Sequence, residues 1–149
     1  MNNVSKELKK LFVRDLNKLM EEINAYSDEA SLWMKQGNIK NSAGNLVMHI
    51  CGNLQYYIGT TLAGTDYIRD RSFEFEGKMK IHQLHDEIDK TLEVIKFFFE
   101  SSTEELYEKN YPVEVFGFHM STFYFIIHLQ GHLNYHLGQI NYHRRILSK

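Results

Sequence analysis

The sequence has one cysteine and one proline in 149 residues, no excess of charge of either sign, and no long apolar run. A lone Cys51 excludes an internal disulfide framework and a cysteine-rich zinc module. With Pro112 the single proline, the commonest helix breaker is missing from the rest of the chain, so long uninterrupted helices are permitted. The 17 Lys and Arg against 19 Asp and Glu leave a formal net charge of −2. That balance lacks the basic stripe that nucleic acid requires, and no nucleic-acid partner is expected. The longest apolar runs, such as Phe123 to Ile127, fall far short of the ~20 residues of a membrane-spanning helix, so no membrane partner is expected either. No charged-then-apolar leader opens the sequence, and the expectation is a cytoplasmic protein. The length predicts one domain over 1–149 with a self-sufficient core.

What the chain has in quantity is histidine, eight of them. Their meaning depends on where the helices lie. Over residues 5 to 35, Leu8, Leu11, Phe12, Leu16, Leu19, Met20 and Ile23 recur at intervals of three and four, which predicts a helix capped by Ser5. A second helix is predicted from Ser42 or Ala43 to Leu62, with Ser42 or Asn41 as N-cap and Gly64 as its stop. Thr65 to Gly77 has no helical period and reads as an ordered loop, since Phe73 and Phe75 call for burial. A third helix is predicted over Ile81 to Glu100. Residues 101 to 119 alternate enough, at Tyr111, Val113, Val115 and Phe118, to suggest a short hairpin or irregular segment. The last helix is predicted from Ser121 to Leu147. Four helices without repeats or low-complexity tracts describe an all-α four-helix bundle.

The last helix carries His128, His132 and His136 at successive intervals of four. Residues so spaced stack on one helix face with Cβ atoms ~5–6 Å apart, close enough for two imidazoles to converge on one metal ion. It is not a zinc-protease motif, because Leu133 stands where that motif has Glu. A third ligand must come from another helix, and His49 is the best candidate. It interrupts the apolar run Leu46 to Ile50, where an unpaired polar group is costly. Cys51 lies about 200° round the helix from His49 and cannot face the same ion; it reads as a small buried hydrophobe. His82 and His85 read as solvated. His143, beside Arg144 and Arg145, fits a basic last turn that complements the helix dipole. His119 carries no pattern. The alternative for the whole constellation is a set of histidines satisfied by one another, by water or by tyrosine. No Glu has a His three residues later, which excludes a di-iron carboxylate bundle.

Two stretches carry a resemblance. Asn41-Ser42-Ala43-Gly44-Asn45-Leu46-Val47-Met48-His49-Ile50-Cys51-Gly52-Asn53 and His132-Leu133-Asn134-Tyr135-His136-Leu137-Gly138-Gln139-Ile140, with Arg69-Asp70-Arg71 and Glu74-Phe75 between them, resemble the DinB-like superfamily over essentially the whole chain. The resemblance implies an up-down-down-up four-helix bundle, commonly a homodimer. It also implies a divalent ion, nickel or zinc, held by His49, His132 and His136, with His128 a neighbour that does not ligate. Three imidazoles leave coordination positions open, the pattern of catalytic rather than structural sites. The expected activity is metal-dependent thiol transfer, S-transferase-like, on a small-molecule substrate with a low-molecular-weight thiol as cosubstrate. Arg69 and Arg71 are candidates to dock its carboxylates, or to be solvated or paired with Glu74. Tyr56, Tyr57 and Tyr135 are candidate pocket residues or core. Metal-dependent hydrolysis and a non-enzymatic metal-binding bundle are the alternatives. No catalytic residue beyond the ligand set is singled out.

Overall fold

In a computed structural model, which describes residues 1–148, the chain is all-helical, with no strand among the described residues. Helix α1 spans Asn3–Asn24, α2 Ala43–Leu54, α3 Arg71–Glu76, α4 Ile81–Ser101, α5 Glu104–Glu108 and α6 Thr122–Leu147. A single 3-10 turn, Ala30–Trp33, lies between α1 and α2. None of these helices is long and apolar enough to cross a membrane.

The four longer helices enclose one core. α1 packs against α4 and α6, and α2 packs against the same pair from the opposite side. From α1, Phe12, Leu16, Leu19 and Ile23 are wholly buried and meet Leu84, Ile88, Ile95 and Phe99 of α4, with the Phe12 and Phe99 rings 5.5 Å apart. Each such side chain contributes about 1.5–3 kcal/mol by leaving water. Two carboxylates of α1 form a polar seam with α6. Asp15 accepts from Gln130 at 2.7 Å and Asn134 at 3.1 Å, and Glu22 accepts from Asn141 at 2.6 Å and Arg144 at 2.7 Å. The seven-residue steps from 15 to 22 and from 134 to 141 keep these contacts on one line along both helices.

α2 is buried on every side from Ala43 to Leu54, so its Asn45, His49 and Asn53 cannot turn to solvent. Ser42 caps it, its Oγ accepting from Asn45 N at 3.2 Å. Beyond Leu54 the helix widens into a π turn, Gln55–Thr60, then closes over Thr61–Ala63 on Gly64 in the left-handed region, φ 71°. Within this turn the Tyr57 carbonyl accepts from Tyr111 Oη at 2.7 Å.

Four expectations are corrected. The first helix ends at Asn24 rather than near residue 35, because Asp28 starts a separate turn by accepting from the Ser31 amide at 2.8 Å. Its cap is Asn2, whose Oδ1 accepts from Ser5 N at 2.7 Å, while Ser5 is buried against the Tyr107 and Ser102 hydroxyls. The 65–77 loop contains α3, capped by Asp70, and leaves Phe73 42% exposed. Of the two readings of 101–119, the hairpin is corrected and the irregular segment holds: α5 is followed by turns and bends and, among the described residues, one antiparallel bridge, Asn110 to Ser121. Tyr111 N donates to the Met120 carbonyl at 2.9 Å and Thr122 N to the Lys109 carbonyl at 2.8 Å, and Gly117 at φ 78° turns the chain back.

Candidate metal centre

His132 and His136 sit one turn apart on α6, and His49 faces them from the middle of α2. His49 Nε2 and His136 Nε2 each lie 3.1 Å from His132 Nε2. Among the described residues these three are the group whose ligand atoms could hold one ion, all within 4.8 Å of one another. Nitrogens bound to a common ion at about 2.1 Å and near right angles stand about 3 Å apart, so the spacing suits an ion.

The outward nitrogens decide what the inner ones present. His49 Nδ1 is 3.0 Å from Glu74 Oε1, a carboxylate oxygen that can only accept, so Nδ1 carries the proton and Nε2 keeps its lone pair. His136 Nδ1 lies 2.7 Å from Gln139 Oε1, an amide that can turn either its oxygen or its NH₂ to the ring. The His49 lone pair faces His132, whose Nε2 has one proton at most to offer. A cation satisfies all three nitrogens together, whereas the neutral rings alone leave one of the three unpartnered. Burial, with the neighbouring rings, pushes His132 down to about 3, and burial also lowers His136. Both are neutral at physiological pH, the form that ligates.

Glu74 holds the His49 tautomer and is itself held. Arg69 Nε donates to its Oε2 at 2.8 Å and Nη2 to its Oε1 at 2.9 Å, a bidentate pair shielded from water. Burial pushes the Glu74 carboxyl up, but hydrogen bonds from His49 and Arg69 outweigh it and hold it below the usual range. One face of α2 builds this support at positions i, i+4 and i+7. Asn45 Nδ2 donates to the Glu74 and Gly77 carbonyls at 3.0 and 2.9 Å, His49 meets the carboxylate, and Gly52 leaves the space it fills. A Cβ at Gly52 would collide with Glu74 Oε2. Sequence reasoning did not assign Glu74 to the site. The signal available was the spacing Asn45, His49, Gly52, a polar face on a helix with no exposed side.

Arg69 pairs with Glu74 and is not free to dock a carboxylate. Arg71 lies over the Phe75 ring, 5.8 Å from its centroid. His128 is exposed, its ring 6.4 Å from that of His132 and 4.8 Å from Phe116, and is outside the cluster. Cys51 is buried, and burial pushes its thiol up to about 12, which makes it inert. His85 is half-buried, its Nε2 2.7 Å from Asn24 Oδ1. His143 is corrected: rather than an exposed charge on a last turn, it is buried, with Nδ1 2.6 Å from Tyr26 Oη and Nε2 donating to the Met34 carbonyl at 2.7 Å. Tyr57 is half-buried and packs against the core beside Phe125, whereas Tyr135 is 65% exposed beside His136.

No protein-family model matches the chain, and no curated protein matches its sequence. In structure it is similar to a conserved protein from Enterococcus faecalis, with a TM-score of 0.79 and 13% identity over 99% of this chain and 98% of that one. That likeness is one of fold.

Proposed function

We propose that the chain is a DinB-like four-helix bundle of up-down-down-up order, and that His49, His132 and His136 hold a divalent ion, nickel or zinc, serving thiol transfer. The observation that carries the metal is the convergence of three imidazole nitrogens, His49 and His136 Nε2 each 3.1 Å from His132 Nε2, with Glu74 pointing the His49 lone pair at the centre. When bound, the ion would lower the pKa of a thiol it holds, so that the thiolate is present at neutral pH. The protein's part is to fix the three nitrogens and exclude protons from them. Glu74 orients His49, Gln139 orients His136, and burial keeps His132 neutral.

In the overall reaction the thiol sulfur forms a bond to an electrophilic carbon. The leaving group departs with its electron pair and the thiol proton passes to solvent. Hydrolysis is the weaker reading because a water nucleophile normally works with a free base beside it. The nearby carboxylate, Glu74, is occupied by His49 and Arg69, and Asp15 and Glu22 of α1 are engaged in the seam with α6. The proposal extends to a cytoplasmic homodimer acting on a small molecule with a low-molecular-weight thiol.

Elemental analysis of tag-free protein tests the metal. About one ion per chain is expected in the native protein, and loss in His49→Ala and His132→Ala. Retention in either variant removes that residue from the set. Turnover of an alkylating electrophile with bacillithiol, glutathione or cysteine tests the reaction; ester or amide turnover without thiol would replace transfer by hydrolysis.

A further inference from the structure

A half-open cleft of about 570 Å³ lies between the 38–46 segment and the outer face of the second half of α6. It shares His136 and Gln139 with the histidine cluster, one as a proposed ligand and the other as the group that orients it. We propose that this cleft is a substrate subsite for a small organic acid with an apolar body, its carboxylate meeting Lys40. Its role as a subsite rests on the metal-centre reading above; the binding itself does not.

The walls are apolar where a ligand body would lie. Ile39, Tyr142 and Ile146 line the cleft and are 37%, 67% and 57% exposed, although each is a large apolar or aromatic side chain. Such side chains gathered around a concavity mark a binding surface more often than a bare one. The volume lies in the range of pockets that enclose small molecules. Leu46 closes the floor and is buried.

The charge on the lining is of one sign. Lys40 is the one charged side chain of a residue lining the cleft, no carboxylate lines it, and Lys40 has no ion-pair partner among the described residues. His143 is a wall and not a reacting group, since both its nitrogens are taken by Tyr26 and Met34. Arg69, the other cation near the cluster, is committed to Glu74. An anionic head on an apolar body therefore meets complementary groups here, while a cationic ligand meets Lys40 and no counter-charge.

The test uses three probes of one shape: phenylbutyrate, phenylbutanol and phenylbutylamine. Each is titrated into chelator-treated full-length protein while the methyl resonances of Ile39, Leu46 and Ile146 are followed. The acid is expected to shift these methyls saturably, to bind about threefold to tenfold tighter than the alcohol, and to exceed the amine by more. Lys40→Gln should bring the acid to the affinity of the alcohol, and Ile146→Glu should abolish binding of the acid. Equal binding of all three probes overturns the proposal. So does an unchanged preference for the acid in Lys40→Gln, or unshifted methyls, the result expected of a cleft covered by a second copy of the chain. Acid binding in a protein that takes up no metal would remove the metal reading alone. Metal uptake with unshifted methyls would remove this one alone.

Discussion

The Nδ1 of His49 and the Oε1 of Glu74 lie 3.0 Å apart across the α2–α3 contact, and this pair settles which nitrogen of His49 faces the cluster. The Glu74 carboxylate cannot donate, so it selects one tautomer, and Arg69 keeps it ionised. Replacement by Gln removes that selection, because a side-chain amide can present its NH₂ to Nδ1 instead. Glu74→Gln is expected to weaken metal affinity about 10–100-fold, the usual effect of losing the partner behind a ligating histidine. Competition against a chromophoric chelator measures it, and ¹⁵N shifts of His49 should show the tautomer mixture.

Gly52 is needed for the same pair. A methyl at this position enters the volume of the Glu74 carboxylate, which Arg69 and His49 hold from its other sides. Gly52→Ala should gain helix propensity of about 1 kcal/mol, yet lose more through overpacking, which costs typically about 1–3 kcal/mol. The expected outcome is a lower thermal midpoint together with weaker metal binding. A raised midpoint would show that α3 moves aside freely.

The pH dependence of the metal-free protein follows from His132. Its folded value is pushed down to about 3 from the ordinary 6.5, by burial first and then by the adjacent imidazoles. The unfolded chain takes up this proton as pH falls below about 6.5, whereas the folded chain does not until about 3. The contribution to stability is therefore complete above that window and is lost through it, by at most about 1.4 kcal/mol per pH unit. Urea midpoints of chelator-treated protein should fall across this range, and His132→Phe should flatten the fall. Equal slopes in the two proteins would assign the loss to carboxylates.

Asp15 joins α1 to α6 through Gln130 and Asn134 and is buried. Asp15→Ala removes both hydrogen bonds, but water can reach the amides left behind, Gln130 half-buried and Asn134 exposed, so the cost is the net worth of the bonds, about 0.5–1.5 kcal/mol each. Chemical denaturation should show a loss of that order. Metal content should be unchanged, because neither amide touches the three histidines.

Much of the helical framework was legible in the sequence. The three- and four-residue spacing of Phe12, Leu16, Leu19 and Ile23 could be satisfied by one helix face, and those residues are wholly buried. Ser42 and Ser121 marked the starts of α2 and α6, and Gly64 the stop of the helical run that continues α2 to Ala63, because capping is local chemistry. The end of α1 was not legible: no Gly or Pro stops it, and the break at Asn24 comes with Asp28 capping a new turn and Tyr26 reaching His143. The α3 turn was hidden for a related reason. Six residues are too few to show a period, and what holds them is Asn45 of a distant helix.

The histidines divide along the same line. Sequence by itself determined that His132 and His136 share a face, since the helix repeat places residues four apart together, and it singled out His49 as a polar group that could not stay unpartnered inside an apolar helix. Only the tertiary structure decided that the three nitrogens meet and that His143 belongs elsewhere. It alone joined Glu74 and Arg69 to His49 and placed an apolar cleft with Lys40 against His136. A helix repeat acts over a few residues along one chain segment, whereas tautomer, convergence and cleft shape depend on which surfaces pack together, and that packing is a property of the whole core.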